Sequence, residues 1–103
     1  MFDLRIRARY RRRGLGVQAV RWLTGYLFAE FPDIRRIEAN TRKDNIAMRR
    51  TLLSCGYVKE AHYRDAWPSF ENATVYDGVG YAMLRRDWDS GTTTLPEWDD
   101  EPA

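Results

Sequence analysis

The sequence predicts a mixed α/β (α+β) fold, in which a parallel β-α-β crossover is followed by a helix and an antiparallel β-hairpin, giving four strands and two helices. Three observations lead there. Phe2, Leu4, Ile6 and Ala8 alternate with Asp3, Arg5 and Arg7, the period-two pattern of a strand. Val20, Leu23 and Leu27 recur at helical spacing between Val17 and Phe31, with Gly16, Ala19 and Tyr26 beside them. Two long runs, Tyr57 to Trp67 and Ala73 to Leu84, flank the turn-forming Pro68–Asn72 and read as one hairpin.

The remaining elements fall between these. Pro32 and Asp33 end the first helix. Arg36 to Asn40 is a short second strand with Ile37 and Ala39 inward. Asp44 is the expected N-cap of a second helix, Asn45 to Ser54, whose inner face is Ile46, Arg49, Leu52 and Leu53. Gly56 supplies the left-handed closure after Cys55. A bulge is expected at Gly78 or Gly80. Right-handed connection of the two parallel strands follows from strand twist.

With 103 residues the chain is sized for one small domain with a modest core. No apolar run approaches the roughly 18–20 residues of a membrane span, and MFDLRIRARYRRR places charge where a secretory signal has its apolar stretch. A cytoplasmic location is expected. The single Cys55 cannot form an internal disulfide, and no Cys/His cluster has zinc-ligand spacing, so no metal is expected. The net charge of +2 conceals a division: residues 1–50 hold 13 basic and five acidic side chains, and residues 87–103 hold six acids and no base. Arginine makes up 15 of the 17 basic residues, a composition suited to bidentate contacts with anions. The aromatics do not form the paired stacking motif of RNA-recognition modules, so nucleic-acid binding is disfavoured.

The loop Arg11-Arg12-Arg13-Gly14-Leu15-Gly16 lies between the first strand and the first helix. The first N–H groups of a helix have no internal partner, and the helix dipole adds positive potential there. Glycines let a phosphate approach the backbone. The loop fits neither G-x-x-x-x-G-K-[S/T] nor G-x-G-x-x-G. By itself it is either a pyrophosphate cradle or a basic tight turn.

This loop resembles the [Q/R]-x-x-G-x-[G/A] acetyl-coenzyme A loop of the GNAT superfamily of N-acetyltransferases. Asn45-Ile-Ala-Met-Arg-Arg-Thr-Leu-Leu-Ser-Cys-Gly56-Tyr57 is similar to the family's N-x-x-[S/A]-x-[R/K]-x-[L/Y]-x-x-x-G-[F/Y] helix. Asp77-Gly78-Val-Gly-Tyr81-Ala-Met-Leu-Arg-Arg-Asp87-Trp88 resembles the closing strand of the branch containing ribosomal-protein N-terminal acetyltransferases. The three matches span residues 2–88. The resemblance implies a partial GNAT fold with strand order first, second, fourth, third, and acetyl-CoA as co-substrate. It implies that backbone amides of Arg12, Arg13, Gly14, Leu15, Gly16 and Val17 hold the pyrophosphate, with Arg11 at the motif's side-chain position. The pantetheine arm would pair with Ile6, Arg7 and Ala8, and Asn45 matches an asparagine that contacts the cofactor or starts the helix. The acceptor would be a primary amine of a protein N-terminus or a small molecule.

Several positions depart from the family pattern. Leu52 stands where many members carry a tyrosine that protonates the thiolate, and Met48 replaces a small residue. Cys55 reads as a core residue. Glu38 and His62 are the candidate general bases. Members also carry an N-terminal half-sheet and helices that make most of the acceptor pocket, so residues 1–88 read as a truncated, C-terminal cofactor-binding half and residues 89–103 as an acidic flexible tail. The first strand would then be an open sheet edge, through which homo-oligomers are expected. The alternative readings are an inactive remnant or an interaction module completed by another chain, and, more remotely, a small RNA-binding protein.

Overall fold

The computed structural model describes residues 2–7 and 16–99. The elements are β1 (Phe2–Arg7), α1 (Val17–Glu30), β2 (Ile34–Arg42), α2 (Ile46–Ser54), β3 (Val58–Pro68), β4 (Val75–Leu84) and α3 (Arg85–Ser90). The four strands form one sheet in the order β1-β2-β4-β3. β1 and β2 are parallel, from Asp3 opposite Arg36 to Arg7 opposite Asn40, and β4 is antiparallel to both its neighbours. The expected architecture and strand order are met.

One sheet face carries the core. Ile37 and Ala39 of β2 and Val79, Tyr81 and Met83 of β4 pack with Val20, Phe28, Met48 and Leu52 from the helices. Alternation places their neighbours on the other face. There, Gly80 lies so close to Asn40 that an added Cβ would sit 2.9 Å from Asn40 Oδ1.

The structure corrects several local expectations. The buried positions of α1 are Val20, Thr24 and Phe28, spaced four apart, with Leu23 and Leu27 only half-buried and Tyr26 exposed. Thr24 enters the core because its hydroxyl is fully used: it bonds to the Val20 carbonyl at 2.7 Å and shares a 2.7 Å hydrogen bond with Tyr57 Oη. In α2 the inward pair is Met48 and Leu52, whereas Ile46 and Leu53 are about half exposed. The cap is Asn45 and not Asp44. Asn45 Oδ1 accepts from Met48 N at 3.2 Å, while Asp44 is held by Arg42 in a two-pronged pair at 2.9 and 2.7 Å. Gly56 takes φ +89 and closes α2, with its N–H on the Leu53 carbonyl, as expected.

The hairpin bulges lie in β3 and not at Gly78 or Gly80. The register shifts between Lys59 and Ala61 and again between Tyr63 and Trp67, where Asp65 adopts φ +52. An aspartate tolerates that region better than a β-branched residue. Two helices were expected; three are present among the described residues. β4 ends at Leu84, as expected, and the chain leaves it as a helix at Arg85 that the sequence did not announce. Arg85 explains the turn: its guanidinium donates to the carbonyls of Ile34, Phe28 and Phe31 at 2.8–3.0 Å, satisfying acceptors at and beyond the end of α1. Asp87 is buried and accepts from the Thr94 N–H and hydroxyl, and Gly91 at φ +70 ends the helix.

Candidate functional site

The parallel pair and the two helix starts define the region singled out by the sequence. The α1 N-cap is Gly16, with φ −73 and ψ 167 and no side-chain cap. Its carbonyl accepts from Val20 N at 3.0 Å, leaving the N–H groups of the first turn without helical partners. No acidic residue occupies that turn to offset the positive end of the dipole. A Cβ built on Gly16 meets nothing within 4 Å. The glycine is therefore not required by packing of the described residues.

Ile6 and Arg7 close the parallel pair opposite Ala39 and Asn40. β2 runs on to Thr41 and Arg42, paired there with Val79 and Gly78 of β4. Thr41 is fully buried, and its Oγ1 has no hydrogen-bond partner among the described residues. An orphaned buried hydroxyl costs stability and calls for an explanation. Asn45, four residues on, is also buried and caps α2. Ala8, Arg11, Arg12, Arg13, Gly14 and Leu15 lie outside the described residues; Val17 opens α1.

The candidate bases are not brought together. Glu38 lies between Ile37 and Ala39 and so projects from the face opposite the helices, where it accepts from Arg36 at 3.0 Å. Arg36 also bonds Glu60 at 2.6 Å. His62 shares a row with Val79 and Thr41, three residues further along β2. Its Nε2 is 2.6 Å from Asp77 Oδ2, and Asp77 Oδ1 accepts from Asp65 N at 2.9 Å. The hydrogen bond from His62, helped by that from Asp65, holds the Asp77 carboxyl below the ordinary carboxylate range. His62, Tyr63, Arg64, Asp65, Ala66 and Asp77 line a cavity of about 770 Å³ at this end of the hairpin.

Leu52 is buried and can supply no proton. Cys55 is buried, its Sγ lies 3.4 Å from the Val17 carbonyl, and burial raises its thiol pKa. This is the core role expected for it. Thr41 escaped the sequence reading because a threonine in a strand carries no motif; only its missing partner distinguishes it.

The acetyltransferase (GNAT) domain profile matches residues 1–58, which include the glycine loop and both parallel strands. The chain belongs to the GNAT acetyltransferase family. The fold recurs in solved structures of GNAT acetyltransferases. A probable acetyltransferase is 28% identical over 70% of this chain and 39% of its own, with TM-score 0.62. The microcin C7 self-immunity acetyltransferase MccE, solved with acetyl-CoA and AMP, is 26% identical over 64% of this chain and 37% of its own, with TM-score 0.52. The ribosomal-protein-S5-alanine acetyltransferase from Vibrio fischeri shares the fold at 22% identity, over 70% of this chain and 38% of its own, with TM-score 0.58. The matched part of this GNAT chain thus spans about two fifths of the length of these structures. No curated protein matches it by sequence. No helix among the described residues is long and apolar enough to cross a membrane.

Proposed function

We propose that this GNAT chain binds acetyl-CoA at the start of α1 and presents the acetyl group to a primary amine. The observation that carries the reading is the α1 N-terminus at Gly16, which among the described residues has no side-chain cap, no neutralising acid and nothing within 4 Å of a Cβ built on the glycine. The backbone amides of Arg12, Arg13, Gly14, Leu15, Gly16 and Val17 would hold the pyrophosphate, with Arg11 beside them. Ile6, Arg7 and Ala8 would pair with the pantetheine arm, and Asn45 would border it. Thr41 supports the fit, because its buried hydroxyl, beside the end of the parallel pair, has no acceptor among the described residues.

When bound, the cofactor supplies an acyl group activated as a thioester. This chain's part is to orient it and to receive the proton that the attacking amine loses. Glu38 is the first candidate acceptor of that proton, since Arg36 holds its carboxylate in place on the face left open by the helices. His62 is the second: with Nε2 engaged by Asp77, its Nδ1 remains to take a proton. The acceptor is an amine of a protein N-terminus or a small molecule.

Thermal unfolding with and without millimolar acetyl-CoA tests the reading. Binding at 100 times Kd stabilises by about 2.7 kcal/mol. Gly16→Val should leave the unliganded transition within about 1 kcal/mol, because its Cβ fills open space, yet abolish the cofactor shift. An unchanged shift in this variant would refute the cradle. Thiol release on adding candidate amines separates transfer from binding alone, and Glu38→Gln and His62→Gln distinguish the two bases by the pH profile of the rate.

A further inference from the structure

Four arginines meet at the end of β2 remote from the Gly16 cradle. The antiparallel register places Arg36 opposite Leu84. The doublet Arg35-Arg36 at the start of β2 therefore lies beside the doublet Arg85-Arg86 at the start of α3. Together with Leu84 and Asp89 these residues line a cavity of about 500 Å³. Asp89 is the one carboxylate in the lining, and Glu38 and Glu60 meet Arg36 from outside it, so the cluster keeps an excess of positive charge. The mutual repulsion of the arginines is a cost that an anion would relieve.

The arginines are not equally committed. Arg85 is spent on the carbonyls of Phe28, Phe31 and Ile34. Arg36 gives its NH2 group to Glu38 and Glu60, but its Nε is buried without a partner among the described residues. Arg35 and Arg86 are exposed and have no hydrogen-bond or ion-pair partner among the described residues. Open guanidinium donors thus remain on both walls. A planar guanidinium matches two oxygens of a phosphate at once. The volume is that of a small-molecule site and not of an extended nucleic-acid track.

We infer that this cavity is a binding site for the phosphate group of a small ligand, read chiefly by Arg35 and Arg86 and separate from the acetyl-CoA cradle. It does not depend on the acetyltransferase reading, since no residue is shared with the cradle.

The test is an amide NMR titration of the full chain with inorganic phosphate, set against chloride at matched ionic strength. Saturable shifts at Arg35, Arg36 and Arg86 are expected with phosphate and not with chloride. The double variant Arg35→Gln/Arg86→Gln, both surface positions, should keep the unfolding temperature and weaken phosphate binding by about tenfold or more, as loss of charge-assisted hydrogen bonds requires. Equal response to chloride, shifts confined to Gly16–Val20, or unchanged binding by the double variant would each overturn the site. So would a single-stranded oligonucleotide that binds through the same arginines far more tightly than phosphate, which would make the groove part of a nucleic-acid surface. Acetyl-CoA binding is measured separately, by the Gly16→Val comparison, so failure of one proposal leaves the other standing.

Discussion

The two faces of the sheet are built from the same strands by opposite means. On the helix side, Ile37, Val79, Tyr81 and Leu52 are at most 2% exposed, and Thr24, the buried polar residue of α1, has both a donor and an acceptor role filled. On the other side stand Arg36, Glu38, Glu60 and Arg42, with glycines at 78 and 80 between the aromatic rings of Tyr63 and Trp67. The first face is held by removal of apolar surface from water, the second by paired charges in partial contact with water. Burial is worth far more than half-exposed ion pairs. The stability of the domain therefore lives on the helix side, and the open side is free to carry recognition.

The largest expected effect tests the helix side. Leu52→Ala should destabilise by about 3 kcal/mol, the cost of a cavity under α2, measured by urea denaturation at constant m. A loss below about 1 kcal/mol would mean that α2 is not pinned to the sheet. Thr41→Val is next and of opposite sign. Replacing the orphaned hydroxyl with a methyl of the same shape should stabilise the free protein by about 1 kcal/mol. It should also weaken acetyl-CoA binding, read by calorimetry. A destabilised variant would show that the hydroxyl has a partner of its own within the fold.

On the open side the changes should be small. Glu60→Gln removes one of two carboxylates from Arg36 and should cost about 0.5 kcal/mol or less in denaturant melts, with a smaller difference at high salt. A loss as large as that of Leu52→Ala would erase the distinction between the faces. The smallest effect concerns the His62–Asp77 pair at the end of the hairpin. Because the Asp77 carboxyl is lowered in the folded protein, its stabilising contribution is complete above the ordinary carboxylate value of 3.8 and is lost as pH falls through the lower folded value. The melting temperatures of wild type and Asp77→Asn should differ near neutrality and converge in acid. A constant gap across that range would count against the carboxylate's role.

Much of the core was legible because alternation and helical spacing report which face of an element is dry. They placed Ile37 and Ala39 inward; the strand order was implied by the family resemblance alone. They failed where a polar residue was made acceptable in the core by a distant partner. Thr24 is inside because Tyr57 meets it 33 residues away, and Leu27 yields its place to Phe28, which Arg85 and Trp88 flank. No local pattern encodes such a partner. The same holds at α2, where two adjacent capping residues were available and the Arg42–Asp44 pair left Asn45 to cap.

The start of α1 at Gly16 and the Asn45–Gly56 segment were set by the sequence itself, since each depends on local backbone chemistry: an unpaired helix end, a left-handed closure. Tertiary structure decided which charges are neutralised and which are left over. It joined Arg36 to Glu60, spent Arg85 on three carbonyls, left Arg35 and Arg86 facing a cavity, and stranded the hydroxyl of Thr41. Those outcomes depend on strand register, which brings together residues dozens of positions apart and which no window of sequence contains.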